Sequence, residues 1–99
     1  KYNSLKAELY PKAADAYYTK GKSDFLSKNM TEAKTDLETA LKYASNENFV
    51  DDIYYYLGQI AEGEKDTASA KKYYNKIISD YPDSNQIGNA RNALEGLKE

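Results

Sequence analysis

Ninety-nine residues, 40% of them apolar and 30% charged, can bury one thin core beneath a wet surface. Fourteen basic against sixteen acidic side chains give a net charge of −2 with the signs interspersed, so neither a nucleic-acid stripe nor a membrane-binding patch is indicated. The chain has no cysteine and no histidine, which removes disulfides, thiolate chemistry, Cys/His zinc sites and the commonest general base.

Residues 1–10 read as an N-terminal helix, followed by Tyr10-Pro11. Ala14, Tyr17, Gly21 and Phe25, with Tyr18 beside them, recur at the three- and four-residue steps of one helix face. Asn29 with Glu32 three residues on has the form of a capping box and places the next helix start near Met30. Its stripe is Ala33, Leu37, Ala40, Leu41 and Ala44, and Ala44–Asn48 reads as a connection. A third helix carries Phe49, Val50, Ile53, Tyr54, Leu57, Ile60 and Ala61, and its end is marked by Gly63 and the polar Glu64-Lys65-Asp66. Asp66 caps a fourth helix with Ala70, Tyr73, Tyr74, Ile77, Ile78 and Tyr81 on its buried side, stopped by Pro82. Asp83 and Ser84 are expected to cap a fifth helix with the stripe Ile87, Ala90, Leu94 and Leu97. No alternating β-branched segment competes, so the expected class is all-α with five to six helices.

A shift of 37 residues lays Asp15–Ser45 onto Asp52–Pro82. It pairs Asp15 with Asp52, Tyr17 with Tyr54, Tyr18 with Tyr55, Gly21 with Gly58, Lys28 with Lys65, Ala33 with Ala70 and Leu37 with Tyr74. A period between 20 and 50 residues marks a repeat array whose units cannot bury their apolar faces alone. Glycine inside a helix costs about 1 kcal/mol against alanine. Its recurrence at Gly21 and Gly58 therefore predicts a close helix approach at each.

In the second copy Tyr54, Leu57, Gly58, Ala61, Ala70, Tyr74, Ile77 and Pro82, and in the first Tyr17, Gly21, Ala33, Leu37 and Ala40, resemble the tetratricopeptide repeat, a 34-residue helix–turn–helix unit. The first copy departs from the pattern at Lys20, Asp24 and Ser45, and the longer period puts extra residues near Ser45–Val50. The resemblance implies a right-handed superhelical stack of antiparallel hairpins: repeat one over 12–45, repeat two over 48–82 and a capping helix over 84–98. Residues 1–10 are then either the second helix of a truncated preceding repeat or an extension packed through Leu5 and Leu9. The run from Tyr73 to Ser84 is most similar to bacterial envelope members. That leaves the compartment open between the extracytoplasmic part of a membrane-anchored protein and the cytoplasm. The chain opens at Lys1 and is expected to be cut from something longer.

The same resemblance implies a non-catalytic interaction or assembly scaffold that needs no cofactor or metal and takes a protein or peptide partner on its concave face. By register the lining residues are Asp15, Tyr18, Lys22 and Phe25 from the first copy and Asp52, Tyr55, Gln59 and Glu62 from the second. Tyr18 and Tyr55 offer large rings with hydroxyl tips suited to recognition, or else they pack between helices. The acidic members either favour basic peptides or form a solvated face. The Lys/Asn pairs by which one branch of the family holds a carboxylate tail are absent, since those positions carry Tyr18, Lys22, Tyr55 and Gln59. No nucleotide loop, nucleophile motif or ligand spacing points to an enzyme, and no nucleic acid or direct membrane insertion is implied. The alternative is a structural spacer or a self-association module, paired as a homo-oligomer through an N-terminal end with no clear cap.

Overall fold

The computed structural model describes residues 2–44 and 49–97, with side chains from residue 13 onward. The described residues form five helices: α1 Tyr2–Leu26, α2 Met30–Tyr43, α3 Val50–Gly63, α4 Thr67–Asp80 and α5 Ile87–Gly96. Among the described residues there is no strand. The chain divides into two compact units, Lys1–Val50 and Asp51–Glu99. The Ser45–Asn48 connection and the packing of Leu5 and Leu9 lie outside the described residues and side chains.

In the first unit α1 packs against α2. Ala14, Ala33, Leu37 and Ala40 are wholly buried. Small residues let the helix axes approach, and Gly21 is a point of close contact. A Cβ there would stand 2.8 Å from Leu37 Cγ and 3.2 Å from the Leu37 backbone nitrogen. Residues 2–12 continue α1 as one helix instead of standing as an element of their own. Pro11 removes one backbone donor from it. Good helix formers flank that break, Ala7, Glu8 and Leu9 before it and Lys12, Ala13 and Ala14 after it.

The second unit builds its core from Ala61, Ala70, Tyr74, Ile77 and Ala90, with Tyr54, Tyr55, Ile78, Ile87, Ala93, Leu94 and Leu97 packed around them. The α5 stripe expected from periodicity therefore faces inward. Gly58 repeats the close approach, because a Cβ there would lie 2.5 Å from Cε1 of the fully buried Tyr74. The two glycines meet Leu37 and Tyr74, which the 37-residue shift also pairs.

The turn after each first helix is the same motif twice. Lys28 adopts φ 67° and Lys65 φ 62°, the left-handed region. Around them Lys28 N donates to Phe25 O and Asn29 N to Asp24 O, while Lys65 N donates to Glu62 O and Asp66 N to Ala61 O. These are the paired bonds of a Schellman cap, and the residue that closes each cap also opens the next helix. Gly63, read from the sequence as marking the helix end, is the last helical residue of α3, but the left-handed position falls at Lys65, and no glycine has positive φ among the described residues.

Two further expectations are corrected. Asn29 occupies the N-cap of α2, but its side chain makes no cap hydrogen bond, so no capping box forms there. The α5 helix begins at Ile87, later than Asp83 and Ser84 would place it. The Ser84 hydroxyl is drawn to the Asp51 carboxylate and also accepts the Gln86 backbone N–H at 2.9 Å. That holds the connection as a turn up to Gln86.

Candidate protein-interaction surface

The eight residues expected to line the surface come four from α1 and four from α3. On α1, Asp15 and Lys22 are exposed, while Tyr18 and Phe25 are half-buried. The Tyr18 ring stacks on Phe49 with centroids 4.6 Å apart and planes 4° from parallel. This contact fixes the ring plane.

On α3, Asp52, Tyr55 and Gln59 are half-buried and Glu62 is exposed. Tyr55 packs against Tyr74 at 6.0 Å and against Tyr56 at 6.3 Å, and its hydroxyl accepts a hydrogen bond from the Gln59 side-chain amide at 3.1 Å. Asp52 accepts from Gln86 Nε2 at 2.7 Å, which ties the first turn of α3 to the start of α5. Glu62 accepts from the Tyr74 hydroxyl. The register thus places all four on one side of α3, but Asp52 and Glu62 already serve bonds within the unit. Of the four, Tyr55 and Gln59 form the linked polar pair on the helix surface.

The electrostatics follow from those contacts. Burial first, then the bond to Glu62 and its charge, push the Tyr74 phenol well above the ordinary tyrosine range. Burial also raises Tyr56, with the Asp52 carboxylate adding to it. Both phenols are neutral donors at physiological pH.

Three features of this surface were not read from the sequence. The Lys28 and Lys65 turn caps were visible only as an identity in the self-match. Phe49 beneath Tyr18, and Gln86 against Asp52, had no local signal because each partner lies about thirty residues away in the chain. Two shallow, open clefts of about 270 and 450 Å³ lie along α2, lined by Lys20, Thr31, Glu32, Thr35 and Asp36 and by Thr35, Glu38, Thr39, Leu41 and Lys42. Neither contains a residue of the predicted set. Among the described residues no cluster of three or more potential metal ligands occurs.

Models of the tetratricopeptide repeat match residues 14–47 and 52–84, together about two thirds of the chain and each one helical hairpin. The chain belongs to the tetratricopeptide repeat family. No curated protein and no solved structure gives a match. Proteins of this family generally mediate protein–protein interaction or scaffolding. Within the described residues, no helix is long and apolar enough to cross a membrane.

Proposed function

We propose that this tetratricopeptide repeat domain is a non-catalytic scaffold that holds a segment of a partner protein against its first-helix faces. The observation that carries the reading is the recurrence of Tyr18 and Tyr55 at one register position, each braced from below by another aromatic ring. A braced ring loses little entropy on binding. On α1, Asp15 and Lys22 flank Tyr18 with one charge of each sign, and on α3 the Gln59 amide lies beside the Tyr55 hydroxyl. Asp52 and Glu62 contribute mainly by holding α5 and Tyr74 in place. That pattern suits a polar segment of mixed charge better than a strongly basic one.

The test is selection of a displayed random-peptide library on the immobilised chain, followed by binding of the selected peptides to variants. Lys22→Glu and Gln59→Lys are expected to weaken binding at least tenfold, while Lys71→Glu on the outer side of α4 leaves it unchanged. Loss of binding on Lys71→Glu alone would place the partner elsewhere.

A further inference from the structure

The two units keep the same hairpin geometry but differ in chemistry along one side of the first helix. On α3, Ile53, Leu57 and Ile60 are all at most 3% exposed. The 37-residue shift puts Ala16, Lys20 and Ser23 at those positions on α1, and all three are exposed. The exchange extends inward. Lys20, Asp24 and Asp36 stand where the second unit has Leu57, Ala61 and Tyr73. They form an ionic triad, with Lys20 Nζ 2.8 Å from Asp36 and 3.3 Å from Asp24.

We propose that the α1 side bearing Ala16, Lys20 and Ser23 is a terminal cap: whatever lies before Lys1, neither another hairpin nor a second copy of this chain stacks on it. Stacked repeats bury apolar faces against their neighbours, and terminal repeats need a polar outer face. Covering this side would strip the remaining water from the Lys20 ammonium and would bury only a methyl group and a serine in return. A desolvated charge is costly even when paired. The Lys20 side chain keeps 57% of its surface in water, while Asp24 and Asp36 keep 16% and 13%. The continuous α1 agrees, because Tyr2–Leu26 is one helix across the point where a preceding hairpin would have to fold back. The cap therefore sits at the end assigned to self-association in the spacer reading, and it opposes that pairing.

Sedimentation velocity over a thousandfold concentration range tests the cap. The unmodified chain is expected to remain monomeric throughout. Ala16→Ile with Ser23→Ile, which leaves the ionic triad intact, restores apolar residues of the second unit and is expected to drive concentration-dependent doubling of the apparent mass. Circular dichroism verifies that the double variant is folded. An unmodified chain that dimerises, and is returned to monomer by Ser23→Glu, overturns the proposal. So does a folded double variant that stays monomeric at the highest concentration. Should the double variant fail to fold, Ser23→Cys decides, since the chain has no other thiol. Alkylation within threefold of the rate in urea supports an open cap, and slower alkylation refutes it.

Discussion

Replacing Gly58 by alanine puts the shared geometry of the two repeats under direct test. The new Cβ would sit 2.5, 2.7 and 3.0 Å from Cε1, Cζ and Cδ1 of Tyr74, where carbon pairs settle at about 3.5–4.0 Å. The ring cannot swing away easily. It is fully buried among Ala61, Ala70, Ile77 and Ala90, and its hydroxyl is tethered to Glu62. Overpacking of a filled core costs about 1–3 kcal/mol, and a clash this deep with a rigid ring belongs at the upper end. Alanine recovers about 1 kcal/mol of helix propensity, so the net loss is about 2 kcal/mol. For a domain of this size that is a fall of roughly 8–16 °C in Tm. Gly63→Ala is the internal control, because nothing lies within 4 Å of its Cβ position. It is expected to stabilise by about 0.5–1 kcal/mol. Urea unfolding followed by circular dichroism gives both values. The double change Gly58→Ala with Tyr74→Leu, which removes the ring that the new Cβ would meet, should lose less than the sum of its parts. If Gly58→Ala stabilises as Gly63→Ala does, the close crossing is not there.

Three further outcomes follow from the turns and the buried phenols. Lys28→Gly and Lys65→Gly should each raise stability by about 0.5–1 kcal/mol in the same assay, since glycine takes the left-handed conformation without a Cβ penalty. Asp66→Ala should cost about 1 kcal/mol by deleting the bond from Ser69 N to Asp66 Oδ1, whereas Asn29→Ala, which deletes no cap bond, should cost only a few tenths. Tyr74, Tyr56 and Tyr81 all have phenol pKa values raised on folding, mainly by burial. The unfolded chain therefore releases those protons first. Stability is full below the ordinary tyrosine pKa of about 10 and falls as pH climbs past it. Unfolding midpoints measured from pH 8 to 11 check the sign, and Tyr74→Phe should flatten the decline.

What the sequence revealed, and what it concealed, divides along the distance over which each contact is specified. Gly21 and Gly58 were legible because a helix tolerates glycine poorly, and the same shift that aligned them also aligned Leu37 with Tyr74, their actual neighbours. The left-handed lysines were not, since positive φ is normally signalled by glycine and Gly63 stood two residues from the true cap. Register sets Asp52, Tyr55, Gln59 and Glu62 at three- and four-residue steps along α3. It could not show that Gln86 and Tyr74 would engage two of them, because those bonds depend on where α5 and α4 arrive. Tyr17 shows the same limit within the repeat itself. Its counterpart Tyr54 lies between Tyr73 and Tyr81, but the first unit has Asp36 and Ala44 at those places. Tyr17 therefore leans on Tyr43 at 6.0 Å and stays 37% exposed. A motif fixes the crossing of two helices through the small residue and the bulky one opposite it. The chemistry around that crossing is free to vary, and the ionic triad of Lys20, Asp24 and Asp36 shows the variation changing which surfaces can be covered.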